Sequence, residues 1–124
     1  MPATVGRWIS KHSFAERIRD VREEHKSPVI WSPEALLDID HLWDYYADVA
    51  GHETANKILR EIAKVVTTLD EFPFAGRSRD EIRPGLRSLA TSYRMVFYRL
   101  KDNRPEIVRV LDGRQDIEEI FSEE

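Results

Sequence analysis

The sequence predicts an α+β fold, in which an antiparallel two-helix hairpin packs on a small, mainly antiparallel sheet. Three observations predict it. Two long apolar stripes at helical spacing follow one another between Pro33 and Glu71, with Gly51 between them. Three β-prone segments come after them, between Leu86 and Leu111. A short β-prone run, Val29-Ile30-Trp31, comes before both. One helical hairpin on one sheet, in the order β-α-α-β-β-β, is a two-layer sandwich.

The elements follow in order. Residues 1–27 read as an N-terminal extension holding one helix. Ser13-Phe14-Ala15-Glu16 fits a capping box, in which serine and glutamate each satisfy a free backbone N–H. Phe14, Ile18, Val21 and His25 continue at helical spacing, so this helix is expected over Phe14 to His25. After Trp31, Ser32 caps the first hairpin helix and Pro33 suits its first position, where no N–H is needed. Ala35, Leu36, Ile39, Leu42, Trp43, Tyr46 and Ala47 mark its apolar face, and Asp38, Asp40, Asp44 and Asp48 fall mostly off it. Gly51 ends it.

The second helix is expected over Glu53 to Glu71, with Ala55, Ile58, Leu59, Ile62, Val65, Val66 and Leu69 as its stripe and Pro73 as its stop. Phe74 to Gly85 reads as a loop. Strands are expected over Leu86–Ala90, Tyr93–Leu100 and Glu106–Leu111, with turn chemistry from Lys101 to Pro105. Met95 and Phe97 point to one face of the middle strand, and Val96, Tyr98 and Leu100 to the other. Both faces are apolar, which places this strand centrally. A last helical turn, Asp116 to Phe121, would lay Ile117, Ile120 and Phe121 on the core.

At 124 residues the chain fits one domain with a modest core. It has no cysteine, which excludes disulfides, thiolate metal sites and cysteine nucleophiles. His41 and His52 belong to no ligand set, so neither a metal nor a cofactor is expected. No apolar run approaches a membrane span and no signal peptide is evident, so a cytoplasmic location is expected. The net charge of −4 hides an asymmetry: +2 over residues 1–27, −6 over 28–72, +5 over 73–114 and −5 over 115–124. Tight non-specific nucleic-acid binding is not expected of such a chain, whereas a local basic face is.

Three segments carry a family resemblance. Trp31-Ser32-Pro33-Glu34-Ala35 runs from a strand into a helix. Asp80-Glu81-Ile82-Arg83-Pro84-Gly85-Leu86-Arg87-Ser88-Leu89 enters the sheet. Val96-Phe97-Tyr98-Arg99 and Ile107-Val108-Arg109-Val110-Leu111-Asp112-Gly113-Arg114-Gln115-Asp116 form a closing hairpin. In order and spacing these resemble the ParE/RelE superfamily of bacterial toxin–antitoxin toxins, the ParE branch more closely. The resemblance covers about residues 28–121, and 28–124 is taken as the toxin domain.

The resemblance implies a toxin neutralised by a cognate, ParD-like antitoxin. ParE-type toxins poison DNA gyrase, and RelE-type toxins are ribosome-dependent mRNA endoribonucleases. Direct DNA contact would come only through the antitoxin. The scaffold does not decide between these activities. A nuclease would need phosphate stabilisation, for which Arg83, Arg87, Arg94 and Arg109 are available, and a general acid and base. Tyr93, Tyr98 and several carboxylates remain for that role, but no catalytic constellation is recognisable. A non-toxic interaction module is the third reading.

Arg83, Arg87, Arg109 and Arg114, within the matched segments, are the candidates for contact with target or antitoxin. Their structural alternative is pairing with the acidic helices or tail, worth only about 0–1 kcal/mol each when exposed. Arg99, Lys101 and Arg104 flank a turn and read as solvated. Trp43 and Tyr46 lie on the first helix's apolar stripe; core packing is their default, and anchoring an antitoxin helix is their second role. Asp112 stands where the family commonly has histidine. Either toxicity suffers, or Asp112 caps the C-terminal turn.

Overall fold

The computed structural model describes residues 29–122, so the extension over 1–27, with its Phe14–His25 helix, lies outside the described residues. The elements are β1 (Ile30–Trp31), α1 (Pro33–Ala50), α2 (His52–Glu71), β2 (Arg77–Ser78), β3 (Arg87–Ala90), β4 (Met95–Lys101), β5 (Arg104–Leu111) and α3 (Ile117–Ser122). The sheet order is β1-β5-β4-β3-β2, which makes β4 central. β1 runs parallel to β5, and every other pairing is antiparallel.

The cap expected at Ser32 is present. Its Oγ accepts from Ala35 N at 3.0 Å and donates to Val108 O at 2.9 Å, so one hydroxyl starts α1 and ties it to β5. Gly51 joins the helices at φ +93°, a backbone region that glycine enters without a Cβ penalty. α2 closes with Phe72 N–H on Thr68 O at 2.7 Å.

Three expectations need correction. The loop assigned to Phe74–Gly85 contains β2, which pairs Arg77 with Ser88 and Ser78 with Arg87. Both β2 residues are exposed, so the strand has no apolar alternation by which to be read. The turn between β4 and β5 is also shorter than expected. Only Asp102 and Asn103 leave the ladder, at φ 54° and 63°, the paired positive values of a type I′ hairpin turn. β4 in turn starts at Met95, because Thr91 Oγ1 accepts from Tyr93 N and Arg94 N and holds both residues in a turn.

The two faces of β4 divide as expected. Val96 and Tyr98 join Ile107 and Val110 under α1 and α2, where Ile39, Leu42, Trp43, Ile58, Leu59, Ile62 and Leu69 complete the main core. Phe97 faces the other way, with Leu86, Leu111 and Phe121. There α3 covers part of the outer face, with Phe121 edge-on to Phe97 at 5.2 Å between centroids. Such aromatic pairs contribute about 0.5–1.5 kcal/mol beyond area burial.

β5 carries a bulge. Phe97 faces Arg109 and Tyr98 faces Ile107, which leaves Val108 without a partner on β4. An inserted residue re-aims the side chains around it. The bulge lies where β1 has ended and α1 passes over the sheet.

Candidate functional site

Among the described residues no strand continues β1 along the edge of β5, and a side chain from α1 takes that place. Asp38 Oδ2 accepts from Val110 N–H at 2.9 Å, replacing the missing strand neighbour. The same carboxylate takes a two-pronged bond from Arg109, Nε to Oδ2 at 2.8 Å and Nη2 to Oδ1 at 3.0 Å. This arrangement is the floor of a cleft of about 550 Å³ between α1 and the end of β5, lined also by His41, Tyr45, Arg94, Asp112, Arg114 and Gln115.

A second hollow of about 360 Å³ adjoins it, between Tyr46, the turn at Thr91 to Arg94, and Gly113. Arg94, Asp112 and Arg114 are shared by both. The Arg94 guanidinium lies over the Tyr46 ring at 5.2 Å, donates to Tyr46 Oη at 3.2 Å and to Tyr93 O at 2.9 Å, and sits 3.8 Å from Asp112 Oδ2. Tyr46 also meets Tyr45 and Tyr93 edge-on, at 5.0 and 5.5 Å. Three tyrosines and one arginine thus make an aromatic wall with a fixed cation in it.

Asp112 organises the opposite wall. Its carboxylate accepts from the Arg114 guanidinium at 2.8 and 3.2 Å and from Arg114 N–H at 3.0 Å, while its own N–H donates to Gln115 Oε1 at 2.9 Å. The Arg114 side chain, then the Arg114 N–H, and last the Arg94 charge hold the Asp112 pKa down at about 2. Asp112 therefore caps the turn just after β5. The helix behind it has a different cap, Asp116, whose Oδ1 accepts from Glu119 N at 3.1 Å. The expectation that Asp112 caps the C-terminal helical turn is therefore corrected: that cap is Asp116, and Asp112 is spent on the turn before it.

The six sequence candidates separate. Arg109 and Arg114 line the cleft, and Tyr46 lines the adjoining hollow, which Arg114 also borders. Trp43 stands behind it, fully buried, with Nε1 donating to Asn56 Oδ1 at 3.1 Å. Arg83 lies on the outer face, where it donates to Phe121 O at 2.7 Å and stacks on the Phe121 ring at 5.1 Å. Arg87 holds the chain after α2, donating to Gly76 O at 2.7 and 3.1 Å and lying 5.3 Å over the Phe74 ring. Of the four arginines, Arg114 has the most exposed side chain, at 88%.

Tyr45, Arg94 and His41 line the cleft without having been singled out as contact residues. Tyr45 carried a readable signal: an aromatic off its helix's apolar stripe, and it is 55% exposed. Among the described residues, no group of three histidines or acids is placed to hold a metal ion, and no helix is long and apolar enough to cross a membrane.

Comparison with known proteins gives a consistent result. Residues 29–117 match the family model described as ParE toxin of type II toxin-antitoxin system, parDE. Toxin ParE1 of Mycobacterium tuberculosis (strain ATCC 25618 / H37Rv) is 34% identical over 93 residues, 74% of this chain and 95% of the relative. Toxin ParE3 of Caulobacter vibrioides is 35% identical over 80 residues, 64% of this chain and 80% of the relative. A solved structure titled "Chromosomal ParDE TA system from P. aeruginosa" superposes with a TM-score of 0.60 at 27% identity, covering 68% of this chain and 92% of that one.

Proposed function

The chain belongs to the ParE toxin family of type II toxin–antitoxin systems, and from that membership we propose that it arrests DNA gyrase and is silenced by a cognate ParD-like antitoxin. It acts in the cytoplasm, without a cofactor, and meets DNA only through its antitoxin. The observation that carries the reading is the state of the cleft's charged groups. Arg109 is held by Asp38, Arg94 by Tyr46 and Tyr93, and Arg114 by Asp112. A carboxyl held at about 2 is a poor proton donor or acceptor near neutrality. Such a surface suits rigid recognition of another protein better than proton transfer.

The cleft is where the antitoxin's amphipathic segment docks. Tyr45, Tyr46 and Tyr93 supply the aromatic anchors typical of interface hot spots, and Arg114 supplies a charge at the rim. Trp43 supports this wall from inside the core. Arg83 and Arg87 act at a distance from it, by holding α3 and the chain around Gly76.

One observation favours RNA cleavage as a second reading: His41 lines the same cleft as Arg94 and Arg109, which places an acid/base residue beside cations. The two readings separate in one experiment. Antitoxin-free protein is assayed for gyrase supercoiling and DNA cleavage, beside mRNA cleavage on translating ribosomes. Lost supercoiling with trapped, cleaved DNA, reversed by the antitoxin, is the expected result. Cut mRNA with untouched gyrase would move the protein to the RelE-type activity. No effect in either assay and no growth arrest on expression would leave an interaction module.

A further inference from the structure

Residues 28–72 hold three bases, Lys57, Arg60 and Lys64, against nine acids. All three stand on α2 and all three are exposed. At about 100° per residue they fall within about 60° of arc, so they form one ridge. Among the described residues no ion pair involves any of them. Cations so placed repel one another along a helix face unless an acid stands among them. Glu61 is that acid, four residues after Lys57 and three before Lys64, but its Oε2 accepts from Ser92 N–H at 3.0 Å. The carboxylate that would neutralise the ridge is thus spent on the turn after β3.

That turn also joins the ridge to the cleft. A third hollow, of about 450 Å³, lies between α2 and the end of β3, lined by Glu61, Lys64, Val65, Ala90, Thr91 and Ser92. Thr91 and Ser92 also line the hollow beside Tyr46, and that hollow shares Arg94, Asp112 and Arg114 with the cleft. The three depressions therefore follow one another across one end of the sheet, from Asp38 on α1 to Lys64 on α2. Charge decides what fits along them. The cleft sets Arg94, Arg109 and Arg114 against only Asp38 and Asp112, and the ridge adds three more bases.

We propose that the antitoxin segment docked in the cleft continues past Tyr46 and over the Thr91–Ser92 turn, and lays an acidic stretch along Lys57, Arg60 and Lys64. This rests on the cleft being the antitoxin's seat. The aromatic wall takes the apolar part of the segment, and the ridge takes its charged part. Glu61, by bonding the turn, shapes the path and leaves the lysines beside it to the partner. The stretch is short: the ridge is about 10 Å long, which an extended chain covers in about three residues.

The test mixes the full chain with the full-length antitoxin encoded by the neighbouring gene. Carbodiimide joins a lysine amine to a carboxylate in direct contact, and mass spectrometry of the digest reads the link. Lys57 or Lys64 is expected to be joined to an aspartate or glutamate of the antitoxin. In titration calorimetry, Lys57→Glu combined with Lys64→Glu should weaken binding about tenfold, more at low salt than at high, with the melting temperature of the free protein kept. Unchanged affinity in that variant and no such link, beside weakened binding in Arg114→Glu, would overturn the proposal and leave the cleft reading standing. Full affinity in both variants would overturn the two together. Unchanged antitoxin affinity with loss of binding to a short DNA duplex would give the ridge to nucleic acid, and would overturn the proposal as well.

Discussion

Tyr98 and Gly76 are fitted to each other with no room to spare. The phenol accepts from Gly76 N–H at 2.8 Å and donates to Pro73 O at 2.8 Å, fully inside the core. A Cβ on Gly76 would stand 2.5 Å from the Tyr98 ring and 2.8 Å from Ser88 O. Gly76→Ala is therefore expected to destabilise the fold by about 1–3 kcal/mol through overpacking. Tyr98→Phe should cost about 1–3 kcal/mol, because it leaves the Gly76 N–H unsatisfied. Urea midpoints at constant slope check both, and a midpoint unmoved in Gly76→Ala would contradict the close fit.

The Asp38 carboxylate serves a backbone N–H and a guanidinium at once. Asp38→Ala should therefore cost more than Arg109→Ala, by about 1 kcal/mol or more, since only the first also strands Val110 N–H. Equal losses in chemical denaturation would show that the edge bond contributes nothing.

These two sites show what was legible and what was not. Both hairpin helices were readable because long stripes at one period leave few alternatives, and the faces of β4 were readable because Met95 to Leu100 alternate without a break. β2 was not, because two exposed residues carry no period. Arginine roles were the least legible. Nothing local says that Arg83 and Arg87 end on the carbonyls of Phe121 and Gly76, or that the bulge at Val108 accompanies the Arg109–Asp38 bond. Those partners lie 38, 11 and 71 residues away.

Acid should act through Asp112 and Asp80. Asp112 is held at about 2 by Arg114, and Asp80 is held below its usual value first by the Gly85 N–H and then by Ser78. Both favour the ionised form in the folded state. Their stabilisation is complete above the ordinary carboxyl value of 3.8 and is lost as pH falls through each lowered value, about 2 for Asp112. Asp112→Asn should flatten the fall in melting temperature between pH 4 and pH 2, and an unchanged slope would remove Asp112 from the account.

Arg83 fastens α3 to the outer face by a bond to the Phe121 carbonyl. Arg83→Ala should raise amide exchange over Ile117 to Ser122 while leaving α1 and α2 protected. A uniform rise over the whole chain would mean that the outer cover is not separately held.

Arg114 and Arg109 should part company in function. Arg114→Glu, at a side chain 88% exposed, is expected to keep the melting temperature within a few degrees and to weaken antitoxin binding about tenfold. Arg109→Ala should instead lower stability first. Titration calorimetry beside thermal melts reads both, and full antitoxin affinity in Arg114→Glu would take that residue out of the interface.

The parallel pairing of β1 with β5 has a consequence in time. Ile30 waits for Glu106, and Ser32 Oγ for Val108 O, a separation of 76 residues. At roughly 5–20 residues per second, a ribosome needs about 4–15 s to supply the missing partner. Until then the nascent chain has helices but neither the floor nor the far wall of its cleft. The protein becomes competent only near the end of its own synthesis, and a partner made alongside has those seconds in which to be waiting.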